Sequence, residues 1–224
     1  MMKSTLLLCL LLVALAGFFP ATKPVSLFDG KTFKGWEGDT TGTWRIENGA
    51  LVGGSATETV PHNFFLCTTR PFTDFDLRLQ FKLTGTGFVN AGVQFRSLRL
   101  KDPAYEMIGY QADLGEGYWG ALYDESRRDK VLARPDSMLV RKVLKPNAWN
   151  DYRVRCEGRR IRIWLNGQNT VDYTEPDLAI PQEGLIGLQI HGGGKAVAAY
   201  RNITVETLPP GKAGSGQAGK KQPR

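Results

Sequence analysis

The amino-acid sequence predicts an all-β fold of two antiparallel sheets packed face to face. Three observations predict it: runs of strict apolar–polar alternation, turns marked by Gly and Asn at short intervals, and no convincing helical period. A chain of 224 residues has room for one substantial domain. With 26 glycines, 23% charged and 10% aromatic residues, its composition is that of a folded protein with many turns.

The first stretch, "MMKSTLLLCLLLVALAGFFPA", sets Lys3 before an apolar run from Leu6 to Ala16, with Ala14 and Ala16 in an A-x-A relation. This is the pattern of a secretory signal peptide over residues 1–16, with cleavage between 16 and 22. The expectation is an exported, periplasmic or extracellular protein with no membrane span after cleavage. Cys9 lies inside the run and not at its end, so it is poorly placed for a lipid anchor.

Strand follows strand from Ser26 onward. "TWRIENGALVGG" puts Asn48-Gly49 between two apolar runs, a hairpin signal. In "DFDLRLQFKL", Phe75, Leu77, Leu79, Phe81 and Leu83 face one way, and Asp76, Arg78, Gln80 and Lys82 face the other. "YRVRCEGRRIRIWLNGQNTVDYTE" gives three more strands, turning at Glu157-Gly158 and Asn166-Gly167. "GLIGLQIHGG" and "KAVAAYRNITVETL" supply the last core strands, and "DESRRDKVLARPDS" reads as a long surface loop. The domain runs from 24 to 208, and residues 209–224, rich in Pro, Gly, Ala and Lys, read as a disordered basic tail. Cys67 and Cys156 sit in strand-like segments, and either a disulfide or two buried thiols fits them. The net charge of +7 is scattered or confined to the tail, with no basic stripe interleaved with aromatics, so nucleic acid is not an expected partner.

A period of two, applied to three central strands, gathers polar side chains on one face. "NAGVQFRS" sends Val93 and Phe95 inward and Asn90, Gln94 and Arg96 outward. "GYQADLG" sends Gln111 and Asp113 outward, and "GLQIHGGG" sends Gln189 and His191 outward. Amides, a guanidinium, a carboxylate and an imidazole match the hydroxyls of a sugar, and nearby Trp119 and Tyr123 offer a platform for its ring. Each residue taken singly also fits a plain surface or ion-pair role; the recurrence on three strands favours a site. "QADLGE" echoes a glucanase motif but has the amide Gln111 where a carboxylate nucleophile is needed, and "HGGG" lacks the G-x-S-x-G elbow of a lipase.

The blocks "SLFDGKTFKGW", "TWRIENGALVG", "DFDLRLQFKL", "NAGVQFRS", "GYQADLG", "GALYDE", "AWNDYRVRCEGRRIRIWLNG" and "IGLQIHGG" together resemble, in order, the 3-keto-disaccharide hydrolase domain family over residues 26 to 208. The resemblance implies a jelly-roll sandwich of the concanavalin and glucanase type, exported by bacteria that degrade glycosides. It also implies cleavage of a 3-keto-glycoside by C2 deprotonation, loss of the C1 substituent and hydration. Members often carry Glu where this chain has Gln111, which leaves Asp113 as the nearby acid. On this reading His191 or Asp113 is the base, and Arg96 and Gln111 hold the C3 oxygen, a role a divalent cation also fits. Asn90, Gln94, Gln189 and Trp119 position the sugar. The alternative is a carbohydrate-binding module without catalysis.

Overall fold

The computed structural model describes residues 23–210. The expected signal peptide, and the expected tail from residue 211 onward, lie outside the described residues. Fifteen strands and one short helix follow in chain order: β1 (Val25–Ser26), β2 (Trp36–Glu37), β3 (Trp44–Glu47), β4 (Ala50–Gly54), β5 (Phe64–Thr68), β6 (Phe75–Gly87), β7 (Asn90–Arg99), β8 (Met107–Gly115), β9 (Leu122–Glu125), β10 (Lys130–Ala133), α1 (Ser137–Val143), β11 (Asn150–Glu157), β12 (Arg160–Leu165), β13 (Gln168–Thr174), β14 (Leu185–Ile190) and β15 (Gly194–Thr207). Eight strands form one antiparallel sheet, ordered β13-β12-β11-β6-β15-β4-β3 with β1 added against β15, and seven form the other, ordered β10-β9-β8-β7-β14-β5-β2. This is the two-sheet antiparallel sandwich the alternation predicts and the jelly roll the resemblance implies.

The apolar faces meet in one core. Phe75, Leu77, Leu79, Phe81 and Leu83 of β6 are all buried, as are Val93 and Phe95 of β7 and Leu188 and Ile190 of β14. Asn48 takes the left-handed conformation (φ 50°) in the β3–β4 turn, and Asn166 does the same (φ 47°) between β12 and β13. Two segments differ from the sequence reading. Residues 124–137, expected to be a surface loop, contain the end of β9 and all of β10, and α1 begins at their last residue, capped by Asp136, whose carboxylate accepts from the Met138 amide at 2.7 Å. At seven residues, α1 is too short to display a helical period. Among the described residues no helix is long and apolar enough to cross a membrane.

Cys67 and Cys156 are separate buried thiols. Cys156 packs in the core, whereas Cys67 lies on the far side of the seven-stranded sheet, its thiol 3.3 Å from Met107 Sδ. Burial pushes both thiols up to about 12, so neither is a reactive thiolate near neutrality.

Two tyrosines of the eight-stranded sheet reach through the core to the backbone of the other. The Tyr200 hydroxyl lies 2.7 Å from the Gln189 carbonyl and 3.1 Å from that of Gly92, and the Tyr152 hydroxyl donates to the Asp113 carbonyl at 3.2 Å. Those carbonyls belong to the strands that carry the polar face. Replacing Tyr200 with Phe removes the hydroxyl that makes both contacts while keeping the ring. It should lower unfolding stability by about 1–2 kcal/mol, measured by urea denaturation.

Candidate functional site

The outer face of the seven-stranded sheet is built by register. Gln94 of β7 pairs with Gln111 of β8, which pairs with Tyr123 of β9, so their side chains share one row. In the adjacent row Gln189 of β14 pairs with Gly92, and Gly92 with Asp113. Asn90 and His191 continue the same face toward the strand ends, where the His191 amide donates to the Asn90 carbonyl at 3.1 Å. Glycine at 92 makes room for Gln111: a Cβ there would stand 2.5 Å from its carboxamide carbon and displace that side chain. Gln111 therefore lies across β7 in space that any other residue would fill.

The face is dry. Gln94 and Gln189 are fully buried, and Asn90, Gln111 and Asp113 are each no more than 5% exposed. Part of the cover is the turn between β7 and β8, which is clasped across the β5 and β2 side. Arg99 donates to the Glu37 carbonyl at 2.6 Å, Asn63 donates to Glu106 at 2.9 Å, and Tyr105 stacks on His62 at 4.1 Å. Beneath the clasp Phe65, Cys67 and Met107 form a small apolar cluster.

A hydrogen-bonded line crosses the floor. Ser97 donates to Gln94 Oε1 at 2.7 Å, Gln94 Nε2 to Gln111 Oε1 at 3.4 Å, and Gln111 Nε2 to Glu125 at 3.5 Å. Asp113 Oδ1 accepts from the Leu114 amide at 2.8 Å and from Asn90 at 3.3 Å. Both polar atoms of the Gln189 carboxamide and the Asn90 Oδ1 have no hydrogen-bond partner among the described residues. Each such buried group costs about 1–3 kcal/mol unless a ligand or water completes it.

Burial also shifts the acids. Desolvation raises the Asp113 carboxyl to about 7, against the lowering effect of the Leu114 amide, Asn90 and Arg134. Glu125 rises to about 8, first by desolvation and then by the charges of Glu106, Asp113, Asp129 and Asp124. Tyr123 rises to about 12, chiefly by burial and then by Glu125. Two carboxyls on one face are thus poised to exchange protons near neutrality.

Asn90, Gln94, Gln111, Asp113 and Gln189 all stand where the alternation predicts, and Tyr123, expected beside them, lies in the Gln111 row. Two expected residues stand elsewhere. Arg96 sits at a bulge between Phe95 and Leu98 with φ 48°, and the extra residue turns its side chain off the polar face. Its guanidinium is fully buried, donating to the Thr73 carbonyl at 2.9 Å, to Asp74 at 2.8 Å and to Gln182. Trp119 stacks on Phe81 at 6.1 Å and packs against the core, so that ring face is closed to a sugar. His191 reaches only the end of the face, where its ring meets Phe88 edge-on at 4.9 Å and its Nδ1 lies 2.7 Å from the Gly192 carbonyl.

Glu125 is the residue that sequence reasoning missed. It was assigned to a loop, although Tyr123 and Glu125 continue the alternation of β9 by one step. Among the described residues no group of three or more His, Cys, Asp or Glu side chains gathers to hold a metal ion.

Fold and face together define a carbohydrate-related jelly-roll domain. The chain belongs to the 3-keto-alpha-glucoside-1,2-lyase-like domain family, whose model matches residues 23–206. Among solved structures, the carbohydrate-binding module CBM66 from Bacillus subtilis is 21% identical with a TM-score of 0.59, covering 77% of this chain and 96% of its own. A candidate glycosyl hydrolase from Parabacteroides distasonis ATCC 8503 is 19% identical with a TM-score of 0.61, covering 83% and 94%. A Bacillus subtilis protein of unknown function with a galectin-like fold is 12% identical with a TM-score of 0.63, covering 86% and 98%. At these identities the likeness is one of fold. Comparison with the curated proteins finds no match.

The raised Asp113 carboxyl has a consequence for stability. In the unfolded chain it ionises near its ordinary value of about 4, whereas in the folded chain it keeps its proton up to about 7. Ionisation therefore favours the unfolded state in that window: the cost is absent below about pH 4 and grows until about pH 7. Asp113→Asn, which mimics the protonated form, should gain on the wild type by on the order of 2–4 kcal/mol between pH 4 and 7. Denaturant unfolding at a series of pH values measures it.

Proposed function

We propose that this chain cleaves 3-keto-glycosides, with Asp113 as the base and Glu125 as the acid. The observation that carries the reading is a pair of carboxyls, Asp113 buried and Glu125 half-buried, raised to about 7 and about 8, with unpartnered carboxamide groups on the same sheet face. A ketone at C3 makes the C2 proton acidic. Ionised Asp113 takes that proton, the electron pair forms the enolate, and the C1–O bond breaks as Glu125 protonates the departing oxygen. Water then adds to C1 of the enone; Glu125 takes its proton back from that water, and Asp113 returns its proton to C2. The enolate oxygen needs a donor in a dry setting, and the free Nε2 of Gln189 supplies one.

This assignment differs from the sequence expectation in several roles: Asp113 alone is the base where His191 was the other choice, and Gln111 no longer holds the C3 oxygen. Gln189 takes the place of Arg96 beside the C3 oxygen, and Glu125 provides the leaving-group acid. Tyr123, Asn90 and Gln94 would position the ring, and Gln111 links Glu125 to the rest of the floor. Export through the N-terminal leader belongs to the same proposal. The competing reading, a carbohydrate-binding module, has the same contacts and is favoured by the likeness in fold to CBM66. A module needs no pair of shifted carboxyls, which is why catalysis is the preferred reading.

The test is turnover of a 3-keto-glucoside against its unoxidised parent. Release of 3-keto-glucose from the first alone is expected, with a bell-shaped profile whose limbs fall near pH 7 and 8. Asp113→Asn and Glu125→Gln should each lower kcat by about 10²-fold or more. Tight binding of both sugars without turnover would leave the module.

A further inference from the structure

We propose that the outer face of the eight-stranded sheet docks an acidic polysaccharide chain, independently of the polar face on the other sheet. Alternate residues of β6 and β11 and the end of β12 place Arg78, Gln80, Lys82, Asp151, Arg153 and Trp164 on that face. A groove of about 510 Å³ runs over all of these except Lys82, which lies beyond its lining, and Asn202 lines it as well. Trp164 bounds one side, with Arg153 above its ring at 4.4 Å. Trp149 lies on the other side, with Arg201 at 4.0 Å and Lys82 at 5.5 Å from its ring centroid. From β12 through β11 and β6 to β15 is three strand spacings, about 14 Å, so the surface is longer than a single sugar ring.

The charge of the face selects the partner: its guanidinium and ammonium groups outnumber Asp151, the groove-lining carboxylate open to solvent, which accepts from Gln80 Nε2 at 2.8 Å. Asp76 beneath the groove is buried and bridged by Arg78, Arg153 and Arg155, so the guanidinium groups, not the carboxylate, meet solvent. Glu157 is likewise bridged by Arg155 and Arg162. Lys82 and Arg201 have no carboxylate within ion-pair distance among the described residues. Arg201 donates instead to Gln80 Oε1 at 2.9 Å, as does Asn202 at 3.1 Å. Two half-buried tryptophans, two carboxamides and unneutralised cations suit a chain of sugar rings bearing carboxylates or sulfates. A neutral glycan would leave the cations unused.

Binding of the full chain to polygalacturonate, to neutral dextran and to a single-stranded DNA oligonucleotide is measured at low and high salt. Polygalacturonate should bind, weaken with salt, and be preferred over both other probes. Lys82→Glu with Arg201→Glu should weaken it by about tenfold or more, and Trp164→Ala by a similar factor. Should the charge reversal unfold the chain by circular dichroism, Lys82→Gln with Arg201→Gln replaces it. Asp113→Asn should bind polygalacturonate as the wild type does, which separates this surface from the proposed catalytic one. No binding, equal binding of dextran, tighter binding of DNA, or insensitivity to the Lys82 and Arg201 changes would each overturn the proposal.

Discussion

Two tyrosine hydroxyls that cross the core hold the arrangement together. Tyr200 and Tyr152 belong to the eight-stranded sheet, yet their hydroxyls end at the carbonyls of Gln189, Gly92 and Asp113. A buried hydroxyl must find a partner, and the partners here are the backbones of β7, β8 and β14. The side chains on the opposite side of those strands are thereby fixed in depth and register. A second tie acts at the edge, where the Tyr110 hydroxyl donates to Glu175 at 2.7 Å and Arg128 pairs with both Glu175 and Asp124. Precision on the polar face is thus inherited from the core.

Dryness converts that precision into chemistry. A carboxyl in water titrates near 4, and the same group on a buried sheet face keeps its proton much longer. The cover over Cys67, Met107 and Phe65, clasped by Arg99, Tyr105 and Glu106, keeps water from that side of the face. The cost of burying amides without protein partners falls on Gln189 and Asn90. Such unmet groups beside two shifted acids are the pattern of a surface built to receive a polar ligand.

Much of this was legible in the sequence because β-structure writes its faces with a period of two. Phe75 through Leu83 reads as a half-buried strand without knowledge of any partner, and the core confirms each position. The same alternation located Asn90, Gln94, Gln111, Asp113 and Gln189. It failed at Arg96, where a left-handed residue adds one position and reverses the face, a change no local pattern announces. It stopped too early at Glu125, because the charges of "DESRR" resemble a loop. Trp119 was misplaced for a different reason: a turn residue has no period, and only the packing against Phe81 decides where its ring goes.

The account turns on whether Asp113 is held neutral well above the usual carboxylate range. Labelling the aspartate side-chain carbons with ¹³C and following their chemical shifts with pH, with Asp113→Asn to assign the signal, measures this in the folded protein. The structure predicts a midpoint near 7 for Asp113. A midpoint near 4 would mean that the carboxyl is an ordinary surface acid, and the proposed chemistry would lose the raised basicity it draws from burial.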